Sequence, residues 1–185
     1  MFSFTSINKL NFNKEKDQKM IVGIISDTHD NLPLIDIAVE RLNQEKVELV
    51  LHAGDYIAPF VVSHFKPLKA PLIGVFGNND GDKKLLKKKF TELGADIRGR
   101  FAFVLIDGLR VALLHGDDKE LMRSLLELES HDIIISGHTH QEKNYRKGRT
   151  LVINPGTVSG YLTEKPTMAI LDTNTLNIKT IDLKT

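Results

Sequence analysis

Side chains able to hold metal ions are gathered in short polar clusters along this chain: Asp27-Thr28-His29, Gly54-Asp55, Gly77-Asn78-Asn79-Asp80, His115-Gly116-Asp117 and Gly137-His138-Thr139-His140. The chemistry they suit is coordination of divalent cations by imidazole, carboxylate and carboxamide groups. Cysteine is absent, which removes disulfides, thiol catalysis and thiolate zinc sites and leaves ligands suited to Mn, Fe, Mg or Zn. Asp27 and His29 are two apart, as are His138 and His140. On an extended segment such residues project to one side, so each pair is expected to reach a single metal cluster. Asp55 follows a glycine that lets the backbone turn, and its two carboxylate oxygens can bridge two cations. Asn78 offers a neutral carbonyl oxygen.

Each cluster follows an apolar run. Residues 21–25 read as a buried strand, 33–44 as a helix with proline in its first turn, and 48–52 as a strand. Residues 57–65 read as a short helix, 72–76 as a strand and 83–93 as a helix with a basic outer face. This alternation predicts parallel strands with helices packed on the sheet faces. The runs 101–106 and 109–114 then flank Asp107-Gly108, a hairpin signal. A helix over 119–129, a buried strand over 132–136 and strands over 150–153, 167–172 and 176–182 follow. Parallel units followed by hairpins predict an α/β fold of two packed mixed sheets with helices outside. In open sheets with crossover helices, ligand sites form at the carboxyl ends of strands, which is where the five clusters fall.

The length of 185 residues fits a single domain over 20–185 with a loose extension over 1–19. An arm built on Phe2, Phe4 and Phe12 that contacts a partner or a membrane is the alternative for that segment. Composition is ordinary for a globular protein, 41% apolar and 26% charged, which excludes wholesale disorder. A net charge of +1 gives no strong nucleic-acid signal. No apolar run reaches the length of a membrane span, and the first residues lack a signal peptide's pattern, so a cytoplasmic location is expected.

The ordered series D-x-H, G-D, G-N-x-D, H-G and G-H-x-H resembles the calcineurin-like metallophosphoesterase superfamily, in particular its small prokaryotic phosphodiesterases. The likeness runs from Met20 to about Leu183. It implies a four-layer α/β/β/α sandwich, in agreement with the elements above, and two divalent metal ions (Mn, Ni, Fe, Mg or Zn, with Mn favoured). Asp27, His29 and His140 would hold the first ion, Asn78, His115 and His138 the second, and Asp55 both. The implied reaction is hydrolysis of a small phosphate ester, most simply a phosphodiester, by a hydroxide held between the metals. A phosphomonoesterase or a nuclease with the same site is the alternative, as is a noncatalytic interaction scaffold like the retromer subunit that resembles this fold. Self-association is left open.

The chain departs from the family pattern at Asn79, where many relatives carry a histidine that contacts phosphate and assists the leaving group. An amide can donate a hydrogen bond to phosphate but cannot deliver a proton at neutral pH, so slower turnover and a bias toward good leaving groups are expected. Asp117 replaces a second histidine and is expected to cap the following helix. Asp80 is expected to fix the loop or a ligand histidine, and His52 to be a partner of the ligands or a satisfied core histidine. Asn154-Pro155-Gly156-Thr157 reads as a turn beside the pocket, with Thr157 at the substrate edge. Asp30, Asn31 and Tyr56 are secondary candidates for substrate contact. His64 and His131 read as structural or surface residues, and the lysines of 83–89 as a solvated face.

Overall fold

Along the strand Phe101–Ile106 every second side chain is buried, with Ala102, Val104 and Ile106 inside and Phe101, Phe103 and Leu105 outside. That period of two marks an edge strand covered on one face. By contrast Leu49–His52 and Ile133–Ile135 are buried at every position, the signature of strands covered on both faces. The computed structural model describes residues 20–184. The extension expected over 1–19 lies outside the described residues.

One sheet has six strands in the order β11-β10-β1-β2-β3-β4. Its strands are β1 (Ile21–Ile25), β2 (Leu49–His52), β3 (Leu72–Gly74), β4 (Asp96–Ile97), β10 (Thr167–Asp172) and β11 (Ile178–Asp182). The first four run parallel, and β10 and β11 join antiparallel. The second sheet has five strands in the order β5-β6-β7-β9-β8. These are β5 (Phe101–Ile106), β6 (Leu109–Leu114), β7 (Ile133–Ile135), β8 (Glu142–Lys147) and β9 (Thr150–Pro155). Here β6, β7 and β9 are parallel to one another, while β5 and β8 are antiparallel edges. The helices are α1 (Leu32–Gln44), α2 (Lys83–Glu92) and α3 (Lys119–Leu128).

Three apolar clusters define the layers. Val22, Ile24, Leu51, Val104, Leu113 and Ile135 meet between the sheets. Ile25, Val50 and Met168 pack under Ile35 and Leu42 of α1 and Leu86 and Phe90 of α2. Ala112, Leu114 and Ile134 pack under Leu125 of α3. The result is the α/β/β/α sandwich that the family resemblance implied, in agreement with the two packed mixed sheets and outer helices read from the element pattern.

The short helix expected over 57–65 is present as a 3-10 helix from Pro59 to Phe65. The differences from expectation have physical causes. The two-residue strand β4 is too short to show a period. Strand β8, Glu-Lys-Asn-Tyr-Arg-Lys, is exposed at every position, so it carries no apolar alternation, and its charges suit an edge that resists further pairing. Helix α3 is capped by Asp118, whose side chain accepts from the Leu121 N–H at 2.9 Å. Asp117, the expected cap, instead pairs with Arg100. Among the described residues no helix is long and apolar enough to cross a membrane.

Candidate metal centre

The parallel strands of both sheets point their carboxyl ends to one rim, and the five polar clusters leave the strands there. β1 runs into Asp27 and His29, β2 into Asp55, β3 into Asn78 and Asn79, β6 into His115, and β7 into His138 and His140. Two glycines let the sheets close over this rim. A Cβ on Gly77 would collide with the Asp55 carboxylate, and one on Gly137 with the side chains of Ser26 and Asp27.

The backbone at the rim is not extended. Asp27, His29, Asp55, His138 and His140 have φ of 54°, 42°, 61°, 67° and 58°. Left-handed conformations are unusual for residues with a Cβ and cluster at functional sites. The expected i, i+2 projection from extended backbone is therefore corrected. Asp27 and His29 converge from left-handed backbone after β1, and His138 and His140 likewise follow β7 in left-handed backbone.

The side chains of Asp27, His29, Asp55, His115 and His140 come together in two overlapping groups. Asp27, His29 and His140 form one, and Asp27, Asp55 and His115 the other, each with donor atoms within 4.8 Å of one another. Asp27 Oδ1 lies 3.6 Å from His29 Nε2 and 3.2 Å from His140 Nε2. Asp55 Oδ2 lies 3.5 Å from His29 Nε2 and 3.3 Å from His115 Nε2. His29 Nε2 and His140 Nε2 are 3.1 Å apart. His138 is exposed and sets its ring edge-on to that of His115, centroids 5.1 Å apart. Asn78 is exposed on its loop.

The donor set fits divalent cations. His115 Nδ1 donates to the Ala53 carbonyl at 2.8 Å, which turns Nε2 into the group. That Nε2, Asp27 Oδ1 and His140 Nδ1 are buried without a hydrogen-bond partner, an expensive arrangement for polar atoms unless something else satisfies them. Burial by itself would raise Asp27, but His140 and His29 outweigh it and hold the carboxyl far below its usual range. Asp55 is likewise lowered against its burial, by His115 and by Asn79. His115 is raised although burial opposes it, because Asp55 and Asp27 face its ring. Both carboxylates thus stay ionised, as metal ligands must.

The surrounding residues shape these loops. Asp80 accepts four backbone N–H groups: Tyr56 at 2.6 Å and Ile57 at 2.9 Å on one oxygen, Gly77 at 2.7 Å and Asp55 at 3.2 Å on the other. It therefore holds the Asp55 turn against the Gly77 loop, and burial raises its pKa. Asn79 donates to Asp55 twice, from its backbone at 2.9 Å and its carboxamide at 2.7 Å. Thr157 is fully buried beneath Asp27, whose carbonyl it bonds at 2.9 Å.

His52 is fully buried, accepts from the Gly54 N–H at 3.1 Å and stacks on Tyr56 with centroids 4.0 Å apart. Burial pushes it down to about 3, so it is a neutral core histidine behind the Asp55 turn. Tyr56 is buried in that core and removed from any substrate path. Asp30 caps the turn at Ala58, and Asn31 caps α1 while bonding the Ser159 carbonyl. Asn154, read in the sequence only as part of a turn beside the pocket, has a carboxamide that donates to the Gly137 carbonyl at 2.8 Å and to Thr139 Oγ1 at 3.0 Å. It clamps the turn that presents His138 and His140. Its only signal was its place beside a Pro-Gly turn.

Residues 20–176 match the calcineurin-like phosphoesterase superfamily domain. The chain belongs to that superfamily. It is 40% identical over 166 residues to the phosphodiesterase MJ0936 of Methanocaldococcus jannaschii, covering 89% of this chain and 100% of that protein. The solved structure of an archaeal phosphodiesterase is similar with a TM-score of 0.84 and 39% identity, over 88% of this chain and 99% of that one. The phosphoesterase Yfce of E. coli shares the fold at a TM-score of 0.65 and 21% identity, over 89% of this chain and 100% of that one. Members of this superfamily bind divalent metal, and the two ligand groups sit where the fold brings its strand ends together.

Proposed function

We propose that this chain is a metal-dependent phosphodiesterase with a dinuclear centre. Asp27, His29 and His140 would hold one ion, Asn78, His115 and His138 the other, and Asp55 would serve both. The observation that carries this reading is the position of Asp55 Oδ2, 3.5 Å from His29 and 3.3 Å from His115, so that one carboxylate oxygen faces a histidine proposed for each ion, while Asp27 is the residue common to the two ligand groups. The phosphodiesterases at about 40% identity support the diester as substrate class. Mn is the favoured metal among Mn, Ni, Fe, Mg and Zn.

Bound here, two divalent ions would supply Lewis-acid charge for an anionic ester and a water of lowered pKa as the nucleophile. The residues determine the rest. Two carboxylates against two dications leave the pocket net positive, which draws phosphate. Asp80 and Thr157 fix the turns that aim Asp55 and Asp27, so orientation is set before substrate arrives. Asn79, on the loop after Asn78, can orient a phosphate oxygen but has no proton to give the leaving group. Esters of acidic alcohols are therefore hydrolysed best. Phosphomonoesters and cyclic nucleotides are the substrates against which this selectivity is measured.

The test begins with chelator-stripped protein reloaded with Mn, Ni, Mg or Zn separately. Metal content is measured by mass spectrometry, and activity on bis(4-nitrophenyl) phosphate, 4-nitrophenyl phosphate and cyclic nucleotides. Two ions per chain and metal-dependent diesterase activity that is lost in Asp55→Asn and His138→Ala are expected. Activity retained in both variants contradicts the assignment.

A further inference from the structure

We propose that Arg100 binds a second anionic group of the substrate, beside the scissile phosphate, so that the preferred substrates are phosphodiesters carrying an additional phosphate. This rests on the phosphodiesterase reading and names a substrate class for it. Arg100 stands where loops from both sheets meet. The carbonyl of the preceding Gly99 accepts the Phe76 N–H at 2.6 Å, and Phe76 leads directly into the Gly77–Asp80 loop. The Arg100 guanidinium is paired with Asp117, two residues beyond His115. Arg100 is thus paired with the His115 loop, and the residue before it is bonded to the strand end that leads into the Asn78 loop.

The pair is asymmetric in exposure. The Arg100 side chain is 58% exposed and that of Asp117 only 18%, so the anion anchors and the cation faces solvent. One Nη2 serves Asp117, and a guanidinium carries five N–H donors in a planar fork that matches phosphate oxygens. A guanidinium already braced by a carboxylate loses less freedom when an anion arrives. Lys83 Nζ lies 5.9 Å over the Phe76 ring and adds positive charge beside the same loop. Arg100 immediately precedes β5, whose first residue Phe101 pairs with Leu114, the neighbour of His115, so its place is the rim beside that ligand loop. Asp117, which departs from the family's second histidine, thereby gains a role as the anchor of a binding arginine.

The experiment uses the metal-loaded full chain and the 5′-(4-nitrophenyl phosphate) diester of thymidine, with and without a 3′-phosphate. The readout is the ratio of the two kcat/KM values in wild type, Arg100→Ala, Arg100→Lys and Asp117→Asn. The wild type should prefer the 3′-phosphorylated ester by about tenfold, the size of one charge-assisted contact. Arg100→Ala should erase that preference through KM, and Arg100→Lys should keep part of it. Asp117→Asn should weaken the preference by a few fold. Calorimetry with thymidine 3′,5′-bisphosphate should show Kd about tenfold higher in Arg100→Ala than in wild type. A ratio unchanged by Arg100→Ala in an active enzyme, together with an unchanged Kd, overturns the inference. A wild type inactive on both esters sinks the phosphodiesterase reading itself.

Discussion

Replacing Asp80 with asparagine exchanges one oxygen for an NH2 group at nearly constant volume. The consequences follow from which donors each oxygen receives: Tyr56 and Ile57 on Oδ1, Asp55 and Gly77 on Oδ2. Whichever way the carboxamide turns, its NH2 faces two backbone N–H groups that have lost their acceptor. Losing two buried hydrogen bonds to a charged acceptor costs about 3–6 kcal/mol. Burial and the neighbouring Asp55 already disfavour the Asp80 anion, so removing the charge returns part of that, leaving a net loss of about 2–4 kcal/mol. For a chain of this length that lowers Tm by roughly 5–15 °C. Urea denaturation of metal-free wild type and Asp80→Asn at pH 7 reads the loss directly, and an unchanged m-value keeps it a stability effect. Because the same oxygens hold the Asp55 turn, metal affinity should fall together with stability. A difference below about 0.5 kcal/mol, within the range of an ordinary surface substitution, would refute the reasoning.

Other outcomes are equally definite. His52 is held neutral down to about 3 in the folded chain, whereas it protonates near 6.5 when unfolded, so the unfolded state binds more protons below that value. Its contribution is fully present above pH 6.5 and falls by about 1.4 kcal/mol per pH unit on acidification toward 3. Denaturation at pH 7, 6 and 5 should show a shallower decline in His52→Phe than in wild type. Gly77→Ala places a methyl group on the Asp55 carboxylate and should reduce metal content per chain while far-ultraviolet circular dichroism stays native. Asn79→His restores a proton donor and should raise kcat on diesters with poor leaving groups by about 100-fold, the lower end of general acid catalysis. An unchanged or reduced kcat there would count against the leaving-group argument.

The sequence by itself determined which donors exist and where along the chain they stand. Apolar runs located β1, β2, β6, β7 and β10, Asp107-Gly108 marked the β5–β6 hairpin, and the polar clusters at strand ends named the ligand candidates. These are local properties, legible because strand and helix periods are local. Strand β8 and the cap at Asp118 escaped because an all-exposed edge has no apolar period and adjacent aspartates compete equally for one cap. What only tertiary structure decided lies between distant residues. His115 is aimed by the carbonyl of Ala53, Asp27 is tied to Thr157, and Asp117 is committed to Arg100. The left-handed φ at Asp27, His29, Asp55, His138 and His140 belongs to the same class, because Asp and His tolerate that region better than most residues but do not select it by themselves. Such strain persists only when contacts from both sheets hold it in place, and those contacts exist once the two layers have packed.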